Sequence, residues 1–143
     1  MSYANKTQVS VEQSQMEIQR LLQRYGATGF GINWGSNTIL FEIKSHAVKI
    51  QIPLPDRNDF KNTSGGSKRN NTQIDTAYDQ ALKQRWRALV LVIKAKLEAI
   101  TTGITTIENE FMAHFVLPNG QTLSQYILPQ MKTTSIFPVL PDQ

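Results

Sequence analysis

The stretch FEIK holds the pair of charged side chains that comes closest to a catalytic pattern. Glu42 and Lys44 are two residues apart, so an extended chain would present both on one face. This spacing is the E-x-K half of a divalent-metal nuclease site, which also needs an aspartate from the preceding strand. The preceding segment, TGFGINWG, has no aspartate, and Asp56 comes only later, in a loop. The sequence therefore argues against nuclease chemistry.

Histidine and cysteine give no second catalytic pattern. The absence of cysteine excludes a thiol nucleophile, a disulfide framework and a thiolate metal site. Glu110 and His114 are four residues apart, but a lone pair at this spacing is more often a surface hydrogen bond than half of a metal site. No nucleophile motif accompanies His46 or His114, and no phosphate-binding glycine loop occurs. We therefore expect a protein that is not an enzyme and needs no metal or cofactor.

Length and composition are those of one folded domain. The chain has 143 residues, of which 40% are hydrophobic and 18% charged, both ordinary for a soluble protein. Its net charge of +4 permits an acidic partner without requiring one. The longest apolar run, Ala88 to Ile93, is too short to cross a bilayer, and no signal peptide is recognisable at the N-terminus. We expect a cytoplasmic protein with no membrane partner.

The segment from Gln84 to Ile100, QRWRALVLVIKAKLEAI, predicts a helix that is apolar on two sides. The large apolar side chains on one arc should pack on a sheet: Leu82, Trp86, Leu89, Val90, Ile93, Leu97 and Ile100. The opposite arc, here called the alanine face, would admit another helix: Ala81, Ala88, Val92, Ala95 and Ala99.

Cations occupy the gaps between these two arcs. Lys83, Arg87 and Lys94 lie within about 40° of one another around the helix axis. The first and last of them, Lys83 and Lys94, are roughly 16 Å apart along that axis. This row, here called the basic seam, matches the length of about five phosphates of one strand. Glu98, four residues after Lys94, would neutralise part of it. The seam is therefore either the solvated strip of a core helix or a surface for a polyanion.

The segment from Pro53 to Gln73 has no hydrophobic period, and we expect a loop that is mobile at about residues 56–73. Its string PLPDRNDF is typical of a rigid corner. Against two aspartates the loop carries four cations: Arg57, Lys61, Lys68 and Arg69. A basic loop beside a basic seam favours phosphate contact, and Phe60 is the aromatic side chain that would be free to stack on a base.

The remaining periodicities predict the elements that position these residues. Ser10 and Gln13 form a capping box for a helix over about Val11 to Tyr25. Period-two segments then predict three strands, with Trp34, Phe41 and Trp86 in the core and Leu40 out of place on the polar face.

Helices complete the chain. They are a long one from Asp75 or Thr76 to about Ile100, a short one over Thr106 to His114, and one from Leu123 until Pro129 disturbs it. The fold class is thus α+β: a three-stranded antiparallel meander packed on a long central helix, with an N-terminal helix and short C-terminal helices. Residues 1–132 form this domain, and 133–143 form a proline-containing extended tail.

Four strings of the chain carry a resemblance to known proteins. They are QSQMEIQRLLQRYGATGF, IPLPDRNDF, QRWRALVLVIKAKLEAI and FMAHFVLPNGQTLSQYILPQM. In this order they resemble a family of small uncharacterised proteins of phages, prophages and related mobile elements of bacteria. The resemblance implies a cytoplasmic setting in a bacterial host and a mobile-element origin. It implies no activity that could be carried over residue by residue.

Two functions remain open at this stage. The first is a non-catalytic accessory protein that binds DNA or RNA through Lys83, Arg87, Lys94, Arg57, Lys61, Lys68 and Arg69. The second is a protein-binding factor, either an inhibitor of a host defence or repair enzyme or a self-assembling structural protein. It would act through the alanine face and the apolar tail residues Ile136, Phe137, Val139 and Leu140. Its partner would be a host protein or a second copy of the chain.

Overall fold

The computed structural model describes residues 7–133 and confirms the α+β fold. The helices are α1 (Val11–Arg24), α2 (Asn71–Thr101), α3 (Ile107–Phe111) and α4 (Leu123–Thr133). The strands are β1 (Thr28–Asn33), β2 (Thr38–Ile43) and β3 (His46–Gln51), and short 3-10 turns cover Arg57–Phe60 and Met112–His114. The tail expected at 133–143 lies outside the described residues from residue 134 onward.

Helix α1 begins where its capping box predicts. The Ser10 hydroxyl accepts a hydrogen bond from the backbone N–H of Gln13, whose side chain in turn accepts from the N–H of Ser10. The apolar face of the helix buries Ile18, Leu21 and Leu22. Local sequence therefore fixes where the helix starts, and burial fixes which face turns inward.

The three strands form an antiparallel sheet in the order β1-β2-β3. The register places Ile39 opposite Ile50 and Phe41 opposite Val48, and all four side chains are buried. Alternation sends the intervening side chains to the other face, where Leu40 lies exposed as expected. One face of the sheet is thus core and the other faces solvent.

Helix α2 provides the largest part of the core. Trp86, Val90, Ile93 and Leu97 are fully buried on the arc that the sequence predicted. The helix begins at Asn71, four or five residues before the expected start at Asp75 or Thr76. The reason is a second capping box in which Asn70 accepts from the N–H of Gln73 and the Gln73 side chain accepts from the N–H of Asn70. A polar first turn has no apolar period, so periodicity alone missed it.

The C-terminal elements close one end of the core. Thr106 caps α3, and Phe111 of that helix is buried with its ring edge-on to Phe41 at 5.8 Å between centroids. Helix α4 continues to Thr133 instead of ending at Pro129. A proline inside a helix removes the bond to the carbonyl four residues earlier, here Gln125. Since Gln125 is exposed and α4 buries no residue, that loss costs less than in a core helix.

Trp34 is not a core residue, contrary to the sequence prediction, and 76% of its surface is exposed. Strand β1 ends one residue earlier, at Asn33. The Asn33 side-chain oxygen accepts hydrogen bonds from the N–H groups of Gly35 and Ser36 at 3.1 and 3.3 Å. This Asx turn stops the strand alternation, so the parity that would have pointed Trp34 inward no longer applies.

The turn between β2 and β3 stores backbone strain. Lys44 and Ser45 have φ values of 46° and 66°, in the left-handed region that L-residues other than glycine, asparagine and aspartate avoid. We expect Ser45→Gly to raise the free energy of unfolding by about 0.5–1 kcal/mol, the relief of this strain less the entropy cost of glycine. Urea denaturation measures the change. Ser64→Gly is the matched control, and an equal or larger gain there would contradict the explanation.

Candidate functional site

The central residue of the basic seam is held inside the molecule. Arg87 forms an ion pair with Glu17 of α1, with Nη1 2.6 Å from Oε2 and Nη2 3.4 Å from Oε1. Only 13% of the Arg87 side chain is exposed. The sequence analysis did not anticipate this pair, because it did not place α1 against this side of α2. Arg87 therefore joins the two helices and is not available to an external phosphate.

The Glu17–Arg87 pair also sets the ionisation of the carboxyl group. The hydrogen bond from Arg87 lowers the pKa of Glu17, partial burial opposes that change, and the charges of Arg87 and Lys94 add to the lowering. Glu17 thus stays ionised to a lower pH than an unpaired glutamate.

The two ends of the seam differ from its centre. Lys83 is half-buried and lines a cleft of about 370 Å³ with Glu12 and Asp79. Lys94 is exposed. Within residues 7–133, no carboxylate lies within 4.0 Å of either lysine. The seam is therefore mostly the α1–α2 interface, with one exposed cation at its C-terminal end.

The two other cations of α2 also have intramolecular roles. Arg85 donates to the carbonyl oxygen of Pro53, which fixes the exit from β3. Lys96 donates to the carbonyl oxygen of Glu110 at 2.8 Å and lies 5.7 Å from the ring centroid of Phe111. These contacts link α2 to the sheet and to α3. No feature of the local sequence signals them, since each joins residues far apart in the chain.

Residues 61–69 form a small hydrogen-bonded hairpin, here called the basic hairpin. The N–H of Arg69 donates to the carbonyl of Lys61 at 2.8 Å, and Asn62 and Lys68 form an antiparallel bridge. The Arg69 side chain also donates to the carbonyl of Phe60 at 3.2 Å. Three of the predicted cations, Lys61, Lys68 and Arg69, are thus brought together. The predicted mobility of the segment stays a prediction.

The corner before the hairpin is packed onto α2. Asp56 caps the 3-10 turn. Arg57 forms an ion pair with Asp75, and its guanidinium carbon lies 5.6 Å from the ring centroid of Tyr78. Phe60 contacts the same ring edge-on, with 6.3 Å between centroids. Phe60 is therefore half-buried against Tyr78 and is not free to stack on a base, contrary to the sequence prediction. The charge of Arg57 is balanced by Asp75.

The residue pairs considered for catalysis do not assemble into a site. Lys44 lies in the β2–β3 turn and not on the strand that carries Glu42. Glu110 Oε1 lies 3.6 Å from Lys96 Nζ, and within residues 7–133 no hydrogen bond or ion pair joins Glu110 to His114. Burial, and the nearby charge of Lys96, lower the pKa of His114. In the described part of the chain, no three histidine, aspartate or glutamate side chains are grouped as they would be around a metal ion.

Comparison with protein-family models, with curated proteins and with solved structures gives no match to this chain. The resemblance to mobile-element proteins therefore stays a prediction. Between residues 7 and 133, no helix combines the length and the apolar character needed to span a membrane.

The Glu17–Arg87 pair makes a testable contribution to stability. We expect Glu17→Gln to lower the free energy of unfolding by about 1–2 kcal/mol, less than the roughly 3–5 kcal/mol of a fully buried pair because Glu17 is 39% exposed. The pKa of Glu17 is lowered in the folded state. Its stabilisation is therefore present above the unfolded pKa and is lost as pH falls through the folded pKa. Denaturation at several pH values measures both effects.

Two further variants isolate the pair. Arg87→Gln with Glu17→Gln should cost less than the sum of the single changes, since each single variant leaves a charge without its partner. The exposed Glu42→Gln serves as the control for loss of a carboxylate. Additive costs in the double variant would show that the two side chains do not interact.

Proposed function

We propose that this protein is a non-catalytic nucleic-acid-binding protein whose basic hairpin contacts phosphate groups. The observation that supports this function best is that Lys61, Lys68 and Arg69 lie in one nine-residue hairpin, with both lysines exposed and Arg69 half-buried. In residues 7–133, neither lysine has a carboxylate within 4.0 Å. Phosphate contacts made by such cations give affinity without base readout.

The other predicted cations take different parts in this proposal. Lys94 and Lys83 are secondary contacts at the two ends of the seam. Arg87 is paired with Glu17 and Arg57 with Asp75, so neither is proposed as a phosphate contact. The contact surface is therefore smaller than the sequence alone predicted. We further propose that the protein serves a phage or another mobile element in the bacterial cytoplasm, which rests on the resemblance alone.

Salt dependence tests the proposal. With three phosphate contacts on a single strand, the logarithm of the association constant should fall with the logarithm of salt concentration at a slope of roughly −2. Fluorescence anisotropy with labelled single-stranded DNA and RNA of equal length measures this slope. We expect Lys61→Gln with Lys68→Gln to reduce it by roughly 1.4, because each lost contact removes about 0.7.

Two matched double variants serve as controls, since each also removes two positive charges. Lys83→Gln with Lys94→Gln tests the seam, and Arg20→Gln with Arg24→Gln tests exposed cations of α1. We expect a smaller effect from the seam variant and the least from the α1 variant. A flat salt dependence, or three equal losses, would reject the hairpin as the binding surface.

A second candidate function, binding of another protein, is favoured by an apolar groove between β3 and α2. The groove has a volume of about 440 Å³ and is lined by Ile50, Ile52, Pro53, Ala88, Leu89 and Val92, with Gln51 and Arg85 at its margin. Val92, on the alanine face, is 48% exposed. Exposed apolar concavities of this kind bind extended or helical peptides. The apolar tail named for this function lies outside the described residues.

Peptide selection tests the second function. Peptides displayed from a random library and selected on the wild-type protein should be apolar and should lose most of their binding to Val92→Asp, which places a charge in the groove. Met16→Asp is the control, because Met16 is equally exposed and lies outside the groove. Peptides that bind both variants equally would exclude the groove as their site.

A further inference from the structure

The outer edge of β1 has no partner within the described part of the chain. The sheet order places β1 at one edge, and no isolated bridge among residues 7–133 involves it. The opposite edge is partly covered, because the N–H of Val116 donates to the carbonyl of Ala47 at 2.9 Å and Val48 bridges to Phe115. Within residues 7–133, the β3 edge of the sheet is therefore partly covered and the β1 edge is open.

The open edge carries only one of the devices that normally prevent pairing with another strand, a bulge at Gly29, whose φ is 66°. Natural edge strands carry charged residues or proline, or are covered by another element. Strand β1, with the sequence TGFGIN, has no charged residue and no proline. Its inward side chains, Phe30 and Ile32, are only half-buried, and Trp34 directly after the strand is largely exposed. The regular part of this edge, from Phe30 to Asn33, is therefore free to pair with a further strand.

The register of the sheet identifies the backbone groups on the open side. The N–H of Ile52 donates to the carbonyl of Asn37 at 3.0 Å, so odd-numbered residues of β2 bond towards β3 and even-numbered ones towards β1. Gly31 faces an even-numbered residue of β2 and uses its groups inside the sheet. Phe30 and Ile32 therefore direct two N–H and two C=O groups outward, where none of residues 7–133 offers a partner.

We propose that β1 pairs antiparallel with β1 of a second copy of this chain, about a two-fold axis at Gly31. In this register Phe30 lies opposite the partner's Ile32, and each pair exchanges two hydrogen bonds, four in total. All outward groups of both strands are then bonded. The two sheets become one six-stranded sheet with both cores on the same face, because residues of equal parity face each other.

Neighbouring registers are less suitable. Moving the axis to Phe30 would pair Ile32 with the partner's Thr28, across the irregularity between Thr28 and Phe30 where Gly29 has a φ of 66°. Moving it to Ile32 would pair Phe30 with the partner's Trp34, which lies in a turn. A shift of the pairing by one residue would place the two cores on opposite faces of the joined sheet. The Gly31 register alone keeps the regular part of both strands paired.

The proposed contact predicts a concentration-dependent dimer. A pair of six-residue strands buries less than the roughly 1,200 Å² of a stable interface, so the dimer should dissociate on dilution. Strand β1 has no charged residue, so two copies with a net charge of +4 each do not bring like charges together at this edge. The proposed dimer contact and the basic hairpin are different surfaces, so the dimer and the nucleic-acid binding can each fail without the other.

Cysteine cross-linking tests the register directly, because the chain has no cysteine of its own. Gly31→Cys places one thiol at the axis, in a non-hydrogen-bonded pair whose Cα atoms are about 4.5 Å apart. A Cβ on Gly31 meets no atom within 4 Å, and its φ is not positive, so the fold should tolerate the change. Mild oxidation should convert most of this variant to a disulfide-linked dimer of twice 16.2 kDa.

Thr28→Cys is the control on the same strand, because its two copies would lie roughly 20 Å apart in this register. Equal cross-linking of both variants, or none at Gly31→Cys, would overturn the proposal. So would a wild-type protein that sedimentation equilibrium finds monomeric up to its solubility limit, which would leave the edge to a strand of a different protein.

Charge reversal gives an independent test. Gly31→Lys and Gly31→Glu should each be monomeric, since like charges would face each other across the axis, and their mixture should form a heterodimer. Gly65→Lys adds the same charge in the basic hairpin, and we expect it to dimerise like the wild type. Circular dichroism checks that each variant is folded. Folded Gly31 variants that still dimerise separately would place the dimer contact elsewhere.

Discussion

The burial of one face of α2 is the constraint on which the rest of the structure depends. Trp86, Val90, Ile93 and Leu97 are inaccessible to solvent, and they join the apolar faces of α1 and the sheet into one core. Four large side chains at helical spacing leave no freedom in the rotation of α2 about its axis. The rotation in turn decides where every cation of the helix must lie, and it places Arg87 towards α1.

The cations of α2 show how tertiary packing changes the meaning of a charge pattern. On the isolated helix, Lys83, Arg87 and Lys94 form one row. In the fold, α1 covers the middle of that row and supplies Glu17 to it. A largely buried guanidinium needs such a partner, because desolvation without one costs several kcal/mol. The row is thus first a joint between two helices, and Lys94 is its one exposed cation.

The parts predicted correctly depend on short-range patterns. The Ser10 capping box, the two-residue spacing of Ile39 and Phe41 and the three- and four-residue spacing of the α2 core are all local, and each appears as expected. The missed features come from polar side chains that bond to the backbone, as at Asn33 and Asn70, or from contacts between distant segments. Glu17 and Arg87 are 70 positions apart, and one sequence holds no signal that relates them. The hairpin around the Asn62–Lys68 bridge was missed as well, since no apolar period marks it.

The central claim concerns three cations: Arg87 acts inside the molecule, in the contact between α1 and α2, whereas Lys61 and Lys68 act outside it, at the proposed phosphate-binding surface. Amide chemical shifts, recorded while a short single-stranded oligonucleotide is added at low salt, test this claim residue by residue. The account predicts that shifts concentrate at residues 61–69 and leave Arg87 and its neighbours on α2 unchanged. Shifts that follow Lys83, Arg87 and Lys94, with the hairpin unaffected, would contradict it.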